Sequence, residues 1–154
     1  MDDLGHWTTD CIKIEEPTGF VYLIMNKTKG SGYIGQKSMM KKVVRKPLKG
    51  RVNKRRSTTD SGWREYRSSS KQLIKDIDSG DEVTYHIICW CRSKSELNYI
   101  ETKYQFDVDV INDERWYNGM INIRQGKTTF CEDWRERYDL GLTYIKNLIG
   151  SSNV

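Results

Sequence analysis

The sequence predicts an α+β fold: a small three-stranded antiparallel sheet flanked by helices. Three features carry that expectation. An apolar run rich in β-formers is followed by a turn and a second short β segment. A later β-rich run stands between two stretches with helical apolar spacing. The elements then follow as strand, strand, basic segment, helix, strand, helix, helix.

Residues 1–18 are polar, pass through Glu15-Glu16-Pro17, and read as an irregular or short-strand lead-in. Gly19-Phe20-Val21-Tyr22-Leu23-Ile24-Met25 is apolar at nearly every position, as a strand covered on both faces requires. Residues 26–32 are dense in turn formers, and Tyr33-Ile34-Gly35-Gln36-Lys37 returns as a second strand, so 19–38 reads as a hairpin. Leu73, Ile74 and Ile77 predict a helix over about 70–79, stopped by Gly80. Val83 to Trp90 is the third strand. Ser93 and Glu96 have capping-box spacing and open a helix running to about Val110. Trp116-Tyr117-Asn118-Gly119 reads as a turn before a short stretch at Met120–Ile123. The tail from about Cys131 to Ile149 is an amphipathic helix expected to pack on the body. The domain is thus expected over 19–124, with a helical tail at 125–154.

Charge is unevenly placed. The chain has 26 Lys+Arg against 21 Asp+Glu, a net of +5. Between Lys37 and Arg67 stand twelve basic residues and two acids, a local +10 on a body of −5. Such a block repels itself unless a polyanion neutralises it, which points to nucleic acid. The candidate contacts are Lys37, Lys41, Lys42, Arg51, Lys54, Arg55, Arg56 and Arg64, with Trp63 and Tyr66 available for stacking on bases. Seventeen aromatic residues argue against disorder. No apolar run approaches the length of a membrane span, and the acidic Met1-Asp2-Asp3 start does not resemble a signal peptide. Four cysteines (11, 89, 91, 131) and two histidines (6, 86) lack zinc-site spacing. They are expected to be reduced thiols and strand residues of a cytoplasmic protein without membrane contact.

Two features single out residues for chemistry. On the helix after the third strand, Leu97, Ile100, Tyr104 and Val108 mark the buried stripe. Glu101 falls within or beside it, whereas Glu96 and Asp107 do not. A carboxylate so placed must be paired or bind a metal. In the hairpin, Tyr22 and Tyr33 share one sheet face if the register pairs even residues with odd ones, and point apart otherwise.

These residues carry a resemblance. Phe20-Val21-Tyr22, ten intervening residues and Tyr33-Ile34-Gly35 resemble the paired signature of GIY-YIG endonucleases, with Phe-Val in place of Gly-Ile. Glu101-Thr102-Lys103-Tyr104 is similar to the family's metal-binding glutamate motif, and Tyr117-Asn118 to its later Tyr-Asn pair, with Asn122 the second choice. Trp63 through Ser70 looks like a segment of phage-type members. The resemblance spans about residues 19–123.

It implies a phosphodiester hydrolase acting on DNA, most simply double-stranded, of phage or homing type. One Mg²⁺ (or Mn²⁺) would be held by Glu101. Tyr22 or Tyr33 would activate water, its pKa lowered by Lys37 and the basic block. Arg45, or Arg51, Arg55 or Arg56, would hold the scissile phosphate, and Asn118 would complete the catalytic set. Specificity would come from the expanded 39–67 segment or be low. The alternative is a non-catalytic nucleic-acid-binding domain on the same scaffold.

Overall fold

The computed structural model describes residues 3–127, 130 and 132–150. Three strands form the main sheet: β1 (Gly19–Asn26), β2 (Ser31–Ser38) and β5 (Val83–Cys91). They lie in the order β2-β1-β5, and β1 pairs antiparallel with both neighbours. The α+β class and the three-stranded antiparallel sheet match the expectation.

Every residue of β1 is buried, because the central strand is covered on both faces. One face presents Val21, Leu23, Ile34 and Ile88 to α2 (Lys94–Asp107) and α3 (Trp134–Ile149). The other presents Phe20, Tyr22, Ile24, Ile87 and Trp90 to Trp7, Trp63 and Leu73, the last on α1 (Lys71–Asp78). Local signals fix the helix starts. The Ser70 hydroxyl accepts from Leu73 N at the head of α1, and the Ser93 hydroxyl from Glu96 N at the head of α2. α3 opens at Trp134, and Cys131, the expected start of the tail helix, lies outside the described residues.

Three findings go beyond the sequence reading. The lead-in belongs to the body: Trp7 is 3% exposed, its indole N–H donates to Trp63 O at 2.7 Å, and Thr8 bridges His86 on the outer edge of β5. The basic segment is a β-ribbon of its own, β3 (Met40–Arg45) paired antiparallel with β4 (Arg55–Asp60), and Pro47 and Gly50 fall in the connection. Val43, Val44, Thr58 and Thr59 favour strand geometry there. The ribbon's base is tied by Met39 N to Thr18 O at 2.9 Å and Ser61 Oγ to Ser38 O at 2.6 Å.

Glu96 is the third. Helical spacing puts it off the buried stripe, yet it is 1% exposed and paired with Arg137 of α3 at 2.8 Å. Among the described residues no helix is long and apolar enough to cross a membrane. Cys11, Cys89 and Cys91 are free thiols.

Candidate active site

The β1–β2 register sets Tyr22 opposite Gly35 and Ile24 opposite Tyr33. Even pairs with odd, so Tyr22 and Tyr33 share a face, and their rings meet edge-to-face at 6.1 Å between centroids. The Tyr22 ring lies across Gly35. A Cβ on that glycine would stand 2.5 Å from the Tyr22 hydroxyl and 2.6 Å from Cζ. The glycine is therefore a steric requirement of the tyrosine. Gly35→Ala is expected to cost about 1–3 kcal/mol by overpacking. It should also cut any nicking activity by roughly a hundredfold as Tyr22 is displaced. Denaturant unfolding and a plasmid nicking assay read the two losses.

The segment before α1 supplies hydroxyls to both rings. Ser69 Oγ lies 3.0 Å from the Tyr33 hydroxyl, and the Ser68 side chain partly offsets the effect of burial on the Tyr22 hydroxyl. Ser68 holds φ at +107°, a conformation that residues other than glycine rarely adopt. Ser70, which caps α1, fixes this turn by donating its N–H to Ser68 Oγ at 2.9 Å. Tyr66 completes the cluster, its ring 6.0 Å from that of Tyr22, with Lys37 Nζ 4.1 Å above it. Tyr22 is 1% exposed and Tyr33 is half-buried. The two phenols are thus unequal in access to solvent.

Glu101 stands on α2, on the same side of β2 as Gln36, the residue after Gly35. Gln36 Nε2 donates to Glu101 Oε1 at 3.0 Å and to Asn98 Oδ1 at 2.7 Å, while Lys94 Nζ donates to Gln36 Oε1 at 2.6 Å. Among the described residues Glu101 has no ion pair, so the salt-bridge alternative does not hold. Its neighbour Glu96, by contrast, is fully paired. Burial pushes the Glu101 carboxyl above the ordinary glutamate range, against the Gln36 hydrogen bond and the Lys94 charge.

The tyrosines are shifted too, and against expectation. Burial raises Tyr22 well above the usual phenol value and raises Tyr33 as well; the negative charge of Glu101 adds to both. Lys37, although over the Tyr66 ring, does not offset this, and the basic side chains of the ribbon stand out in solvent. Burial and the nearby Lys41 charge in turn lower the Lys37 ammonium.

The remaining sequence candidates are not all gathered here. Arg45, Arg55 and Arg56 stand exposed on the ribbon, with Arg45 opposite Arg55 at its far end, and Arg51 is in the loop beyond. Lys37 lies over the cluster itself, and Lys94 stands beside Glu101. Trp63 is 4% exposed and packs edge-on against Phe20 and Trp90, so it is a core residue and cannot stack on a base. Arg64 lies over its ring at 4.3 Å and donates to Asp3 O.

Asn118 closes the outer edge of β2, its Oδ1 accepting from Ile34 N at 3.0 Å and its Nδ2 donating to Ile34 O at 2.8 Å. Tyr117 anchors that clasp by donating to Asp76 Oδ2 at 2.6 Å. The outer edge of β2 is therefore covered as far as Ile34, and Gln36 and Glu101 lie just beyond.

A family model described as "Putative endonuclease segE, GIY-YIG domain" matches residues 6–121. The chain belongs to the GIY-YIG endonuclease family. Neither a curated protein nor a solved structure gave a match to the chain. The GIY-YIG domain is a nuclease domain, so nucleic acid is its class of substrate, and nucleases of this family generally depend on a divalent metal.

The residues present fit such an ion. Among the described residues no group of three or more His, Cys, Asp or Glu side chains is gathered, and Glu101 is a desolvated carboxylate with one oxygen hydrogen-bonded. A lone carboxylate suits a hard cation that keeps most of its waters, and does not suit zinc.

Within this GIY-YIG domain, sequence reasoning misses Gln36 as the residue that positions Glu101. Its signal is its place directly after the glycine of the second triplet. Asn98, three residues before Glu101 and so on the same side of α2, has no legible signal.

Proposed function

We propose that this GIY-YIG domain is a divalent-metal-dependent DNA endonuclease of phage or homing type, acting on double-stranded DNA. The observation that carries the reading is the pair of tyrosines on one sheet face, both within the field of an unpaired, desolvated Glu101. Glu101 would hold one Mg²⁺ or Mn²⁺, with Gln36 fixing the carboxylate's orientation. A divalent cation bound there would stabilise charge on the leaving oxygen and offset the Glu101 charge, which adds to burial in disfavouring phenolate.

Tyr33 would act as the general base in its phenolate form, its own proton passing to solvent beside Ser69 before it takes one from the attacking water; its hydroxyl meets solvent there whereas Tyr22 is enclosed. Tyr22 positions Tyr33 through the edge-to-face contact. Lys37, on the same face of β2 as Tyr33, holds a phosphate oxygen. Asn118 keeps β2 in place, and Arg45 belongs to DNA binding rather than to the chemistry.

The test is to incubate the protein with supercoiled plasmid. Nicking with Mg²⁺ or Mn²⁺ that EDTA abolishes supports the enzyme. DNA binding without nicking under any metal supports the binding-domain alternative and overturns this reading. Within the active protein, Tyr33→Phe is expected to slow nicking by about 10²-fold or more, the usual share of a general base. Its melting temperature should be nearly unchanged, because the lost hydrogen bond is exposed. A Tyr33→Phe enzyme with wild-type rate would remove Tyr33 from the role.

A further inference from the structure

The β3–β4 ribbon makes no sheet with the rest of the molecule, and all but one of its residues, Val43, are exposed. Two-stranded ribbons are marginal by themselves. This one also sets like charges face to face, with Arg45 directly opposite Arg55. Such a pair is destabilising unless an anion lies between or over it. From Met40 to Asp60 the ribbon and its loop carry nine Lys/Arg and one acid.

The register divides the ribbon into two unlike faces. One carries Lys41, Val43, Arg45 and Arg55 with Ser57 and Thr59, and has no acid. The other carries Lys42 and Arg56 with Met40, Val44 and Asp60, and Asp60 is engaged at the body by Gly62 N at 2.7 Å. The first face begins at Lys41, four residues along the chain from Lys37 at the tyrosine cluster. The Lys41 charge acts on Lys37, which lies over Tyr66 beside Tyr22.

We propose that the ribbon enters the major groove of duplex DNA with its Lys41–Arg45–Arg55 face toward the base edges, Arg45 and Arg55 forming the base-reading pair. This rests on the reading of the domain as a DNA endonuclease and adds how it grips and reads the duplex. The B-form major groove, about 12 Å wide, admits a two-stranded ribbon, and an arginine there is matched to guanine O6 and N7. The phosphates on the groove walls meet Lys42, Arg56 and the loop cations. Duplex RNA is excluded, because its major groove is too narrow for side chains to read.

The test uses a Glu101→Gln background, which separates binding from cutting. A random-sequence duplex DNA pool, methylated at guanine N7, is partitioned on the protein. Methylated guanines are expected to be depleted from the bound fraction by roughly 5-fold or more, the discrimination of one bidentate arginine contact. Arg45→Ala/Arg55→Ala should abolish that depletion. Lys42→Ala/Arg56→Ala removes the same charge from the other face and should retain the depletion, while both pairs flatten the dependence of binding on salt. Duplex RNA should not compete.

Duplex binding without depletion while the protein that keeps Glu101 nicks normally, equal loss in both pairs, or competition by duplex RNA would overturn the ribbon's placement and leave the nuclease reading standing. No duplex binding at all, with no nicking by the unsubstituted protein, would overturn both. Circular dichroism of the two pairs guards against misfolding, which their exposed positions make a minor risk.

Discussion

Glu101→Gln is expected to abolish metal-dependent nicking, a loss of roughly a thousandfold or more, while leaving the protein at least as stable as the wild type at neutral to mildly alkaline pH. The first half follows from the donor set. Among the described residues Glu101 is the carboxylate whose charge reaches both tyrosines, and it is not engaged in an ion pair. A metal contribution of several kcal/mol covers the roughly 4 kcal/mol that a thousandfold represents.

The second half follows from its titration. Burial raises the folded-state pKa, so the folded protein holds the Glu101 proton more tightly than the unfolded chain does. The ionised carboxylate then opposes folding. That penalty is absent below the unfolded pKa of about 4.3, grows as pH rises through the folded pKa, and is constant above it. Glutamine has no such charge, and its side-chain carbonyl can still accept from Gln36. The stability gap should accordingly open in favour of the Glu101→Gln variant as pH rises from about 4. Chemical denaturation across pH measures it, and a Glu101→Gln protein clearly less stable than wild type under alkaline conditions would show that the carboxylate has a structural partner.

The same titration limits activity. A carboxyl held above the ordinary range stays protonated to higher pH, so metal-supported nicking should fall off on the acid side at a higher pH than an exposed glutamate would dictate.

The parts legible in the sequence are those governed by local pattern. β1 and β2 are readable because apolar content and turn residues are local, and the starts of α1 and α2 because Ser70 and Ser93 are local caps. Glu101 is legible from helical spacing alone. Register is not: whether Tyr22 and Tyr33 face together depends on which residue of β2 meets which of β1, and the crossing of Tyr22 over Gly35 depends on that register.

Trp63 misleads for a related reason. Its surroundings in the chain are basic and polar, yet tertiary packing places its ring against Phe20 and Trp90, and its carbonyl receives the Trp7 indole. The ribbon is hidden by composition, since Lys and Arg mask the β-branched residues at 43–44 and 58–59. Glu96 is misjudged because its partner, Arg137, lies 41 residues away.

That buried pair carries the largest stability effect expected of a single substitution. Glu96 and Arg137 are each 2% exposed at the side chain and meet at 2.8 Å. Arg137 also donates to Trp90 O, and Glu96 also accepts from Arg92 N at 3.2 Å. Removing the guanidinium by Arg137→Ala leaves a carboxylate desolvated at the head of α2 with one backbone donor, and is expected to cost about 3–5 kcal/mol. For a chain of this size that lowers the melting temperature by on the order of 10 °C.

Because desolvation of both ions offsets much of their attraction, the double substitution Glu96→Gln/Arg137→Met should recover most of the loss. A mere surface bridge would give under about 1 kcal/mol in either single variant. The pair joins α3 to the first turn of α2, the helix that carries Glu101 further along. Arg137→Ala should therefore lower nicking at temperatures where the fold is still largely populated, by letting the head of α2 shift, and the double variant should restore it together with the melting temperature. Restored stability without restored nicking would mean that the charge pair acts on the site directly, and not through the seating of α2.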